Sequence, residues 1–185
     1  MIRIEDDGVT HLNIYSQGNT ELGRMMSNFY YSPFSHPLHG NFNSVEGYWY
    51  WLKTRKDELR ILSGLTAKQV GREYTKDISS QPLIENAPLF FNLYESENNI
   101  GNSTPDELSD TLFQTYIELA LLSKVNSNYR LKEMLKSSTL PFKHYYVMPE
   151  RIIDRTENSQ WVLDIWTDIR AGLQDGDLGF MLVEG

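Results

Sequence analysis

Hydrophobic and polar residues alternate in two ways along the chain. Over 12–16, "LNIYS" switches between apolar and polar positions, the period-two mark of a short strand, and Gly18 and Asn19 end it. "MMSNFYYSPF" reads as an extended aromatic segment stopped at Pro33, and "SHPLHGNFN" as a loop rich in Pro, Gly and Asn. From Ser44 the spacing becomes helical. Ser44 suits an N-cap and Glu46 the first turn, where the helix dipole favours an acid; the pattern predicts a helix over 45–62 and a second over 66–74. The stripe Leu108, Leu112, Tyr116, Leu119 and Leu122 predicts a long helix, capped by Ser103 or Thr104 with Pro105 at its first position. "NYRLKEMLKSS" predicts a short helix, "FKHYYVM" a strand, and "NSQWVLDIWTDIRAGL" a last helix. Its inward face is Trp161, Leu163, Ile165, Trp166, Ile169 and Leu173. Residues 78–103 are polar and turn-rich around "APLFFNLY" and read as an insertion or a lid. With no internal repeat or break in composition, the expectation is one α+β domain over 1–185, mostly helical with a few short strands.

Composition narrows the chemistry. The 185 residues suffice for one real core, and the absence of cysteine excludes disulfides, thiolate zinc sites and cysteine nucleophiles. "MIRIEDDGVT" lacks the apolar run of a secretory leader, and no segment approaches the roughly 18–20 apolar residues of a membrane span, so a soluble, cytoplasmic protein without a membrane partner is expected. A net charge of −8 argues against broad duplex binding. Against that background Lys53, Arg55, Lys56, Arg60, Lys68, Arg72 and Lys76 form a basic island, which suits either a solvated face or a place that receives phosphates.

The segment that asks for explanation is "SVEGYWYWLK". Helical residues turn by about 100° each, so Glu46 and Lys53, seven apart, share a face, with Tyr50 between them and Trp49 at its edge. Tyr48, Leu52 and Leu59 fall on the opposite, core side. Glu46 and Lys53 read either as surface residues two turns apart or as parts of one site, and Tyr50 and Trp49 are poor choices for a fully solvated face. Together they suit glycoside chemistry: an amine can attack a sugar C1 as the base leaves, a carboxylate can support the positive charge and move protons, and rings can stack on a base.

Three stretches in order, "IYS" with "MSNFYYSPF", "SVEGYWYWLK", and "TAKQVGREY", resemble the NADAR family of N-glycosidases acting on ADP-ribose derivatives and related nucleotide-like glycosides. "LLSKVNSNYRLKEMLKSS" and "WTDIRAGL" are similar more weakly, and the whole resemblance spans about two thirds of the chain. It implies that Lys53 forms a Schiff base with the ribose and that Glu46 is the catalytic carboxylate. It also implies that Asn28 and Phe29 line the sugar or base pocket, that Tyr48, Trp49 and Tyr50 contact the substrate, and that Gly71 and Arg72 lie near phosphates. The implied substrate is an ADP-ribose-like or nucleotide-like molecule, or an ADP-ribosylated base on nucleic acid, handled with neither metal nor organic cofactor. Two departures stand out. Gly47 follows the glutamate, costing the helix up to about 1 kcal/mol relative to alanine, and reads as room for a different substrate. The family's Trp-Gly loop and glycine-rich stretch are replaced by "YYVMPERIIDRTENSQW", which leaves substrate identity open.

Other motifs carry less. His36 and His39 in "HPLH" have no acidic or thiol companions for a metal, and His11 and His144 read as structural. "DGDLG" lacks calcium-loop spacing, and no Walker or Rossmann fingerprint is present. The reading is therefore an N-glycosidase, against two alternatives: a non-catalytic module that binds or sequesters a nucleotide, and a protein-interaction factor whose aromatic residues form an interface.

Overall fold

A computed structural model describes residues 2–79 and 105–176; most of the 78–103 stretch lies outside the described residues. After a 3-10 turn at Ile4–Asp6 come β1 (Leu12–Asn13) and α1 (Glu21–Met26). The hairpin β2 (Phe34–His36) and β3 (Gly40–Phe42) leads into α2 (Val45–Thr54), a 3-10 turn at Asp57–Ile61, and α3 (Gly64–Ser79). The second half comprises α4 (Pro105–Ser127), α5 (Tyr129–Ser137), β4 (Phe142–Lys143), the hairpin β5 (Tyr145–Met148) and β6 (Arg151–Asp154), and α6 (Gln160–Asp175). The architecture is α+β and mostly helical, as expected.

Four local outcomes differ from the sequence expectation, each for a physical reason. The segment ahead of Ser27 is helical, because Thr20 caps α1 by accepting from the Gly23 N–H at 3.1 Å. "SHPLHGNFN" is mostly a hairpin, pairing Phe34 with Phe42 and His36 with Gly40 through a tight turn. The predicted 45–62 helix stops at Thr54, where Arg55 takes the left-handed conformation and its N–H closes on the Trp51 carbonyl at 2.8 Å. The segment after Pro149 returns as β6 against β5.

α2 lies at the centre, against α3 on one side and α4 on the other, with Val45 and Tyr48 fully buried. Gly47 is explained by packing and not by a substrate: a β-carbon there would run into the Leu59 carbonyl. Gly71 plays the same part on α3, where a β-carbon would strike the Tyr50 ring. Below α2 the core continues through Ile117 and Leu121 of α4, Leu131 and Leu135 of α5, and Trp166 of α6.

β1 and β4 are parallel, with Leu12 opposite Phe142. Asn13 extends this joint with its side chain: Nδ2 donates to the Tyr145 carbonyl at 3.1 Å and Oδ1 accepts from the Tyr145 N–H at 3.0 Å. Ile14 N–H donates to the Lys143 carbonyl at 2.8 Å. The clip holds 14–16 beside His144 and Tyr146, and so builds one wall of a cavity.

Candidate functional site

Three successive carbonyls fix the loop after α1. Ser27 O accepts from the Lys124 ammonium at 2.9 Å, Asn28 O from the Glu46 N–H at 3.0 Å, and Phe29 O from the Gly64 N–H at 3.1 Å. Ser44 caps α2 by accepting from the Gly47 N–H at 3.0 Å and donates its own hydroxyl to the Leu62 carbonyl at 2.9 Å. With backbone and cap thus held, Asn28, Phe29, Glu46 and Trp49 border one cavity of about 390 Å³. Tyr15, Ser16, Lys68, His144, Tyr146 and Trp161 complete much of its lining.

Glu46 is the unusual member. It is only 8% exposed, and among the described residues its carboxyl has neither a hydrogen bond nor an ion pair. Burial lifts its pKa to about 7; Lys68, then Arg72 and Lys53, pull the other way without cancelling the effect. A carboxyl that holds a proton near neutrality, free of protein partners and facing a cavity, can give that proton to a bound group and take one back. The Asn28 side chain likewise has no hydrogen-bond partner among the described residues. Lys68 sets its ammonium over the Phe29 ring at 5.2 Å. His144 donates from Nδ1 to the Ile14 carbonyl at 2.7 Å, and burial lowers its pKa, so the neutral ring keeps Nε2 as an acceptor.

Lys53 borders a different cavity, of about 480 Å³, with Leu52, Arg55, Phe113, Gln114 and Tyr116. Trp49 and Trp161 line both cavities and stack on each other at 5.8 Å between centroids, so they form the wall between them. The Lys53 ammonium lies 5.4 Å from the Trp49 ring centre and 5.3 Å from that of Phe113. The expected face holding both Glu46 and Lys53 is therefore divided by a ring.

The remaining expected site residues are distributed as follows. Tyr48 lines neither cavity: fully buried, its hydroxyl accepts from His36 Nε2 at 2.9 Å and donates to His39 Nδ1 at 2.8 Å. These roles follow because His36 Nδ1 accepts from the Leu38 N–H at 3.2 Å, which leaves its proton on Nε2. Burial pushes the Tyr48 pKa up and both histidines down to about 4, so the trio is neutral at pH 7. Tyr50 and Gly71 meet at the α2–α3 contact, away from both linings. Arg72 is exposed and reaches the first cavity through its field on Glu46 and Tyr146. Sequence reasoning missed Lys68 and His144 as lining residues. Lys68 was visible within the basic island, whereas nothing in the sequence marked His144.

Among the described residues, no group of three or more His, Asp or Glu is arranged to hold a metal ion, and no helix is long and apolar enough to cross a membrane. No protein-family model and no curated protein matches the chain in sequence. The class is set by the fold, a mostly helical α+β domain shared with a solved structure over the full length of both chains. That structure is the NMR structure of the E. coli protein YbiA, a NADAR-family protein, with a TM-score of 0.55, 16% identity and 100% of each chain covered. At that identity the likeness is one of fold.

Proposed function

We propose that this protein is an N-glycosidase that cleaves the bond between a base and C1 of a ribose in an ADP-ribose-like or nucleotide-like substrate. The observation that carries the reading is Glu46, a buried carboxyl with a pKa of about 7 and no partner among the described residues, on the wall of an aromatic cavity. The YbiA-like fold and the three resembling sequence stretches support it. In this mechanism Glu46 gives its proton to the departing base nitrogen as the C1–N bond breaks, and the base leaves with the bonding pair. A lysine Nζ bonds to C1. The sugar ring then opens as the ring oxygen leaves C1 and takes up a proton, which leaves an imine. Water hydrolyses the imine, freeing the sugar aldehyde and the amine, so the net co-reactant is one water.

Lys53 is the amine that the family resemblance indicates, and it borders the second cavity, across the Trp49 ring from Glu46. Lys68 is a second candidate, favoured by its place in the same cavity as Glu46. Trapping with borohydride tests both the mechanism and the choice. The protein is incubated with ADP-ribose or with ADP-ribosylated guanosine, reduced, and weighed and mapped by mass spectrometry. An adduct on Lys53 that disappears in Lys53→Ala supports the first assignment, and one on Lys68 transfers the role. If ligand raises the melting temperature while no adduct or free base is formed, the glycosidase reading falls and a nucleotide-sequestering module replaces it.

A further inference from the structure

We propose that the second cavity is an anion site that takes the phosphate end of a nucleotide-type ligand, and that Arg55 anchors it. Arg55 ends α2 with φ 55° and ψ 25°, and among the described residues it alone has positive φ without being glycine. A helix stop in this conformation favours glycine, because a β-carbon is strained there, yet the chain keeps its largest cation at this position. The guanidinium carbon lies over the Trp51 ring, 4.3 Å from its centroid. Among the described residues it has no hydrogen-bond or carboxylate partner. Its neighbour Arg60, also over Trp51 at 4.4 Å, is already engaged by Asp57 at 2.8 Å and by the His39 carbonyl at 2.6 Å. Lys53, on the same cavity, is likewise without an ion pair among the described residues.

An unpaired guanidinium on a cavity lined by Trp49 and Phe113 suits a charged group attached to a flat or sugar-like one. Asp110 is the acid among the described lining residues, and it opposes such a ligand. The shared Trp49–Trp161 wall puts this site next to the Glu46 cavity, so one ligand can place its glycosidic end in the first cavity and its phosphates in the second. That joining rests on the glycosidase reading; the anion site itself stands on Arg55.

The test uses Arg55→Gly and Arg55→Asn, since both replacements tolerate the left-handed backbone and retain the helix stop; melting curves check the fold. Calorimetry at low salt with ADP-ribose and with unphosphorylated ribose reads the site. The expected result is that the wild type binds ADP-ribose at least tenfold more tightly than ribose, that both Arg55 variants lose tenfold or more of that affinity, and that Asp110→Asn gains some. Equal affinity for ribose and ADP-ribose, no binding of ADP-ribose, or folded Arg55 variants that bind it normally would each overturn the proposal. The two readings fail separately. Arg55-dependent binding without release of base removes the glycosidase alone. Turnover with an unchanged KM in folded Arg55→Gly removes the anion site alone.

Discussion

Replacing Glu46 by glutamine keeps the size of the side chain and removes its charge. In the folded protein the carboxyl titrates at about 7, against an ordinary value of 4.5. The sign follows directly: the folded state holds this proton more tightly than the unfolded chain, so no penalty exists below pH 4.5. Stability is lost as the pH rises from 4.5 to 7, and the loss is complete above that. At 1.36 kcal/mol per pKa unit, the ionised group costs the fold about 3 kcal/mol at pH 8. Glutamine has no such cost. The difference in unfolding free energy between Glu46→Gln and wild type should therefore start from a constant offset at pH 4. It should then swing in favour of the variant by about 3 kcal/mol by pH 8, or about 6–12 °C in Tm for a chain of this size. Urea melts at half-unit pH intervals measure it, and titrations common to both proteins cancel in the difference. A difference that stays flat between pH 4 and 8 would refute the assignment of a buried, unpaired acid. The same variant should lack base-releasing activity, which would make Glu46 a residue retained at the expense of stability.

Two further substitutions test the packing around α2. Gly47→Ala should destabilise by about 1–3 kcal/mol although alanine is the better helix former, since its β-carbon meets the Leu59 carbonyl; a stabilised variant in a thermal melt would contradict the packing. Tyr48→Phe removes the hydroxyl between the buried His36 and the half-buried His39 and should cost about 1–3 kcal/mol while leaving the KM for any accepted substrate unchanged. A shifted KM would return Tyr48 to the binding site. Because both histidines titrate near 4 when folded and at 6.5 when free, they contribute a loss of stability as the pH falls from 6.5 towards 4, opposite in sign to the Glu46 contribution; in Glu46→Gln, where that contribution is absent, it should be seen as a falling urea midpoint.

The helical half of the fold was legible because its signals are local. Ser44 caps α2 as expected, Pro105 opens α4, and the apolar stripe of α6 marks its buried side. On α4 the expected stripe is offset from the buried face: Ile117, Ala120, Leu121, Leu122 and Val125 are buried, while Leu112, Tyr116 and Leu119 are only partly so. The hairpins escaped notice because strands of three or four residues give too little alternation to rise above their Pro, Gly and Asn neighbours. Glu46 was legible as an acid in the first turn beside aromatics. Its separation from Lys53 was not. Seven residues return to one face but advance about 10.5 Å along the helix, which leaves room for the ring of Trp49 to stand between them. The partner of that ring, Trp161, comes from more than a hundred residues away, and no local pattern announces it. The role of Gly47 was equally hidden, since the group it avoids belongs to a turn beyond the helix end.

The Trp49–Trp161 stack belongs to both chambers at once, and this constrains how the protein can change. A smaller residue at either position would open the Glu46 chamber and the Arg55 chamber into one another. A bulkier neighbour introduced to tighten one would shift the partition into the other. Two compartments that share a single wall cannot be retuned independently. Variation in what this chain accepts should then concentrate at the two tryptophans and the few side chains touching them, with changes at one compensated by changes at the other.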